Sequence, residues 1–162
     1  MPPLRRFFEV VHITAAALWL GVAVATGAAA AIIFPTVRDL DPTLAAYPDY
    51  TGEHWRLAAG HIAARIFAFG DIVAFICLML AGFTLTAIAA MRPTWIATPK
   101  LTLTRLCSLG LAILAAGYNI FMLGPRMNGN LQDYWQAAAD GNNEAATIAQ
   151  KAFMADHAPA SN

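Results

Sequence analysis

Ionisable side chains lie inside a long apolar stretch of this chain, where charge is costly and therefore informative. His61, Arg65 and Asp71 fall within HIAARIFAFGDIVAFICLMLAGFTLTAIAA, residues 61–90. His61 and Arg65 are four residues apart, so they share one face of a helix. A charge in lipid needs a polar partner or a water-filled cavity. We predict an outer polar cluster that handles a small solute or cation, and its members are His61, Arg65, Asp71, Asn119, Arg126 and His157.

The same residues have two other interpretations. In the structural one, Arg65 extends toward the membrane surface, and Asp71 forms an interhelical clamp with Asn119 or Arg126, because a buried carboxylate needs a partner. In the other, three histidines bind a transition metal, which imidazole suits. The candidate ligands are His54, His61 and His157. Their spacing matches no recognised ligand signature.

A second group of polar residues is predicted at the opposite membrane face. Glu9 and His12 are three residues apart on one helix face, and Arg105 lies at a similar depth of another helix. The structural interpretation is an ion pair with His12 hydrogen-bonded nearby. The functional alternative is a proton or ligand site in which His12 titrates.

Composition indicates an integral membrane protein. Of 162 residues, 59% are hydrophobic and 12% are charged, whereas soluble domains have about 25% charged residues. The net charge is zero, so charge gives no argument for nucleic-acid binding. The sequence contains no recognisable catalytic or phosphate-binding motif. We therefore expect neither enzymatic activity nor a bound cofactor.

Three apolar runs are long enough to cross a bilayer, which takes about 20 residues. We predict an all-α bundle with transmembrane helices over residues 7–34, 61–90 and 101–124. Pro35 and Pro125 are expected to end the first and third helices, because proline removes a helical hydrogen bond. Thr51 is a plausible N-cap for the second helix.

Two polar segments separate or follow these helices, an outer loop over residues 35–60 and an outer tail over residues 125–162. Within the tail, residues 143–157 show the apolar stripe of an amphipathic helix. The stripe consists of Ala145, Ile148, Ala149, Ala152 and Phe153.

Small residues form a face of the first helix that suits close helix packing. Gly21, Ala25 and Ala28 fall on one stripe, with Gly27 and Ala31 beside it. The pattern does not say whether this face packs within the chain, on another subunit or on a second copy.

Basic residues predict the orientation. The N-terminus and the connection over residues 92–105 hold Arg5, Arg6, Arg92, Lys100 and Arg105, with only Glu9 opposing them. Because cytoplasmic segments are enriched in Lys and Arg, we predict an inner-membrane protein with a cytoplasmic N-terminus. The loop over residues 35–60 and the tail would then lie on the outer, periplasmic side.

Several short motifs together resemble the transmembrane-protein-205-like family. They are His12-x6-Trp19-Leu20-Gly21, Ala64-Arg65-Ile66-Phe67 with Gly70, Asn119 before Pro125-Arg126, Phe153-x3-His157, and Ser161-Asn162. The resemblance covers nearly the whole chain and implies a small four-helix membrane protein without an agreed molecular activity. The family's serine follows its histidine more closely than Ser161 follows His157. Either the protein is a divergent three-helix form of that family, or the implied fourth helix follows residue 162 and returns the C-terminus to the cytoplasm.

A second resemblance concerns His61-x3-Arg65-x5-Asp71, which is similar to the haem-binding helix of the succinate dehydrogenase cytochrome b subunit. That resemblance implies His61 as an axial haem ligand, although the spacing differs. Two functional hypotheses follow from the sequence. Either the outer polar cluster handles a solute or cation, or the protein is an accessory subunit of a larger membrane complex, respiratory or photosynthetic.

Overall fold

The computed structural model describes residues 3–91 and 99–157 and is helical throughout its regular elements. The α-helices are α1 (Pro3–Leu40), α2 (His54–Ala90), α3 (Pro99–Tyr118), α4 (Gly124–Ala139) and α5 (Asn143–His157), and a π-helical turn (Asn119–Leu123) joins α3 to α4. Three helical stretches are long and apolar enough to cross a membrane: Pro3–Leu40, His54–Ala90 and Leu103–Ala139. Residues 92–98 of the predicted basic connection lie outside the described residues.

Helix α1 is longer than the sequence predicts, because Pro35 does not end it. Proline removes one main-chain hydrogen bond, and near a helix end that loss is small enough for five more residues to stay helical. The helix ends at Leu40, after which Asp41 has φ of 42°. Aspartate tolerates this left-handed conformation better than most residues, and Pro42 follows it.

The expected termination at Pro125 is also wrong, because the π-helical turn leads into α4 and Pro125 lies in the first turn of that helix. The proline ring would clash with the carbonyl four residues earlier and has no N–H to donate. Wider π-helical winding over Asn119–Leu123 changes the hydrogen-bonding register just before that point. The expected polar tail therefore begins with a helix, α4.

Helix α2 begins at His54, three residues after the predicted N-cap Thr51. The Thr51 N–H is instead bound by the side-chain oxygen of Asn143 at 2.9 Å. The nonhelical part of the predicted loop is consequently short, residues 41–53.

The described residues divide into two compact units. Unit 1 comprises residues 1–27 and 67–118, and unit 2 comprises residues 28–66 and 119–162. In unit 1, α1 packs on α2, where Phe8 meets Phe83 with ring centroids 6.1 Å apart. A Cβ added to Gly70 would lie 2.7 Å from Thr26 Cγ2, so these two helices approach closely there.

Unit 2 has its own core, which lies between the 41–53 segment, the start of α2, and helices α4 and α5. Its buried members are Tyr47, Tyr50, Leu57, Tyr134, Ala138 and Ala146. The hydroxyls of Tyr50 and Tyr134 are 2.8 Å apart and satisfy each other. A polar sequence segment thus folds around aromatic side chains that the membrane-span analysis did not single out.

The helix predicted over residues 143–157 is present as α5, but its packed face coincides only in part with the predicted stripe. Ala146 is fully buried and Ala149 packs on the unit 2 core. Ile148, a member of the predicted stripe, is 63% exposed.

Candidate functional site

His61 lies at the centre of an aromatic cluster in unit 2. Its Nε2 is 2.7 Å from the hydroxyl of Tyr47, and its ring stacks on Trp135 with centroids 3.8 Å apart. Burial raises the pKa of Tyr47, so its phenol is neutral at physiological pH. This hydrogen bond occupies one ring nitrogen of the residue that the haem hypothesis proposes as an iron ligand.

Trp135 contributes an unusual polar atom to the same cluster. Its Nε1 is buried and has no hydrogen-bond partner among the described residues. The atom lies 3.7 Å from the position that a Cβ on Gly60 would take. A Cβ at Gly60 would therefore make an ordinary van der Waals contact with the indole, which lies against α2.

His54 fixes the 41–53 segment to the beginning of α2. Its Nδ1 accepts a hydrogen bond from the Leu44 N–H at 3.1 Å, and its Nε2 donates to the Tyr50 carbonyl at 3.0 Å. These partners require the neutral ring with the proton on Nε2. Both nitrogens are thus engaged by backbone, which leaves His54 with no lone pair for a metal.

Other members of the predicted outer polar cluster are distributed between different contacts. Arg126 forms an ion pair with Asp156, at 2.6 Å between Nη2 and Oδ1, and Asn130 donates to the same carboxylate at 3.1 Å. These contacts fix α4 to α5. The partner of Arg126 is therefore Asp156, which the sequence analysis did not consider.

Arg65 is exposed on α2 in unit 2, and Asp71 is exposed in unit 1. Asn119 is the first residue of the π-helical turn. His157 ends α5, and its side chain lies outside what the structure describes. A single cavity formed by the six predicted residues therefore stays a prediction.

The inner polar cluster has a different pairing from the one expected. Glu9 pairs with Arg5, four residues earlier on α1, at 2.9 Å. His12 Nδ1 lies 3.1 Å from the Ala81 carbonyl of α2, to which it donates, and 3.3 Å from the Thr84 hydroxyl. Arg105 is exposed on α3. Thr84, only 1% exposed, is the buried polar partner that the sequence analysis missed.

The predicted helix-packing face of α1 is exposed along its whole length. Gly21, Ala25, Gly27, Ala28 and Ala31 are all exposed. No atom of the described chain lies within 4 Å of a Cβ built on Gly21 or Gly27, apart from the immediate helix backbone. This face is therefore not covered by the described residues.

The aromatic residues of unit 2 were missed because they come from separate segments of the sequence. One local signal was available for α4, where Leu131, Tyr134, Trp135 and Ala138 recur at helical spacing. The Tyr47 and Tyr50 contacts had no comparable signal, since they form with residues far along the chain.

Residues 3–91 and 99–157 contain no group of three His, Cys, Asp or Glu side chains placed to hold a metal ion. Comparison with known proteins gives no match to a family model, a curated protein or a solved structure.

Proposed function

We propose that this protein is an accessory subunit that docks on another membrane protein through the small-residue face of α1. The observation that carries the proposal is the exposure of all five residues of this face. In lipid, apolar surface gives helices little reason to associate, and close backbone approach between small residues supplies much of the attraction. A face of this kind, open for its whole length, is suited to a partner helix.

The neighbouring face of α1 supports the assignment of an outside partner. Val22 and Thr26 are the α1 residues beside Gly70 of α2. Gly21 and Ala25 are rotated from them by about 100°, because an α-helix has about 3.6 residues per turn. Helix α1 therefore has one face for α2 and a second face for a different helix.

In the proposed arrangement, the protein lies in the inner membrane with its N-terminus in the cytoplasm, and the loop over residues 35–60 and the tail over residues 125–162 lie on the periplasmic side. The length of α1 fits this arrangement, because its 38 residues extend about 57 Å at about 1.5 Å per residue. That is nearly twice the roughly 30 Å of a hydrocarbon core. Part of α1 then extends beyond the hydrocarbon core.

Solute handling by the outer polar cluster is a weaker proposal, because the described partners of His61 and Arg126 are Tyr47, Trp135 and Asp156. The accessory role requires no catalytic group and no cofactor.

The native mass of the gently extracted protein tests this function. We expect the wild type to migrate with a larger assembly, and the Gly21→Leu and Gly27→Leu variants to be released as a smaller species. Beyond the local helix, no described atom lies within 4 Å of a Cβ built on either glycine, so we expect release to report the loss of an outside contact. Ala115→Leu, at an exposed alanine of α3, is the matched control and should stay assembled. Unchanged assembly of both glycine variants would contradict the proposal.

A further inference from the structure

An open groove in unit 2 combines cationic groups with a rigid frame, and it is separate from the small-residue face. The groove has a volume of about 470 Å³ and lies between the 50–53 segment, the first turn of α2 and one side of α5. Pockets for small ligands usually measure about 300–1,000 Å³. The size is therefore adequate for a small molecule or the headgroup of a larger one.

Hydrogen bonds hold the two sides of this groove together without a ligand. Asn143, at the start of α5, donates to the Asp49 carbonyl at 3.1 Å and accepts from the Thr51 N–H at 2.9 Å. Tyr50 lies over Gly52, where a side chain would collide with its ring. Because Tyr50 is itself held by Tyr134, this part of the groove is preorganised, which lowers the ordering cost of binding.

The charge of the groove is positive. Arg56 and Lys151 line it together with one acid, Glu53. The Arg56 Nε donates to Glu53, and its guanidinium carbon lies 4.9 Å from the centroid of the Trp55 ring. The hydrogen bond from Arg56 lowers the pKa of Glu53, so the pair is ionised at neutral pH.

Arg56 is positioned by these two contacts and still has donors to offer. A guanidinium carries five N–H groups in a fixed plane, and Glu53 engages the one on Nε. The Nη groups remain for a ligand, as does the ammonium of Lys151, which is exposed on α5. Planar donors and an ammonium together are suited to the oxygens of a phosphate or carboxylate.

We propose that this groove binds an oxyanion, either a phosphate ester or a carboxylate, between Arg56 and Lys151. The amide of Gln150 supplies a further donor, and Met154 contacts the apolar part of the ligand at the open end of the groove. The oxyanion belongs either to a soluble metabolite or to the headgroup of an anionic lipid. This binding is independent of the proposed docking on α1.

Calorimetric titration tests the proposal with two probes. Purified protein in a neutral detergent is titrated with glycerol phosphate, and protein in nanodiscs of neutral lipid is compared with protein in nanodiscs containing phosphatidylglycerol. We expect saturable binding that weakens at least tenfold in Lys151→Gln and in Arg56→Gln. Arg38→Gln, on the exposed end of α1, should bind as the wild type does. Binding should also weaken as salt rises, since exposed charges are screened.

The two probes distinguish the sources of the ligand. Binding of glycerol phosphate that is lost in Lys151→Gln supports a soluble ligand. A difference between the two kinds of nanodisc without binding of glycerol phosphate, if it is lost in the same variant, supports a lipid headgroup. Arg56→Gln also removes the contact with Glu53, so its thermal unfolding is measured alongside. Lys151→Gln leaves that contact in place. If this variant binds both probes as the wild type does, the proposal is overturned. It is also overturned if the wild type binds neither probe.

Discussion

At the scale of single residues, His54 is a structural side chain although its residue type suggests metal chemistry. It satisfies one N–H and one carbonyl of the 41–53 segment. Unlike a surface histidine, it has no ring nitrogen left for another role. His12 differs, because its described contacts involve only Nδ1, which donates to a carbonyl of α2.

We predict that His54→Ala destabilises unit 2 by about 1–3 kcal/mol, because half-buried backbone groups lose their partners. Amide hydrogen exchange measured by mass spectrometry should show faster exchange at Leu44. His12→Ala is the matched control, since it removes a histidine from unit 1 and should leave the Leu44 amide protected. Equal protection of Leu44 in His54→Ala and the wild type would show that the hydrogen bond does not hold this segment.

Residue-level contacts were the least predictable part of the site. The i,i+4 spacing of His61 and Arg65 places them on one helix face, yet nothing local indicates that Tyr47 and Trp135 surround the imidazole. Those contacts depend on how α4 packs against α2, which is a tertiary property. The sequence could therefore identify polar residues in apolar runs but could not assign their partners.

At the scale of elements, the turn between α4 and α5 shows how strongly one glycine controls the packing of unit 2. Gly141 has φ of 69°, and a Cβ there would lie 2.9 Å from Asp49 Cβ. Gly129, within α4, has nothing within 4 Å of its Cβ position. The same substitution should therefore have opposite effects at these two positions.

We predict that Gly141→Ala lowers stability by about 1–2 kcal/mol, the cost of a left-handed conformation in a residue with a side chain, with the contact at Asp49 adding to it. Gly129→Ala should raise stability by about 0.5–1 kcal/mol, because alanine is better than glycine inside a helix. Thermal unfolding in detergent, followed by circular dichroism, measures both. A midpoint that shifts in the same direction for both variants would contradict this account of the turn.

Helices were predicted well where apolar length determines them and poorly where proline or aromatic packing does. The three apolar runs are helical because a lipid environment requires backbone groups to be bonded within the segment. Pro35 and Pro125 were given too much weight, since a proline costs one hydrogen bond and its ring needs only local adjustment. Helix α4 was missed because its apolar residues are spaced among Asn, Gln and Asp side chains.

At the scale of the whole molecule, the proposal places residues 41–53 and α5 on the periplasmic side and the start of α3 on the cytoplasmic side. We predict that a cysteine at Asp49 reacts with an impermeant thiol reagent added to intact cells, and that one at Lys100 reacts only after the membrane is opened. The background is a Cys77→Ala, Cys107→Ser chain, since both natural cysteines are free. The reverse labelling pattern would invert the orientation.

The central claim is that the small-residue face of α1 contacts another protein in the membrane. A photo-crosslinking amino acid at Ala25, in cells that make the protein at its natural level, tests it most directly. The control position is Leu114 of α3, which is 71% exposed. The account predicts a discrete protein adduct at Ala25 and lipid adducts alone at Leu114, and the mass added to this 17.3 kDa chain separates a second copy from a different subunit. Lipid adducts alone at both positions would contradict it.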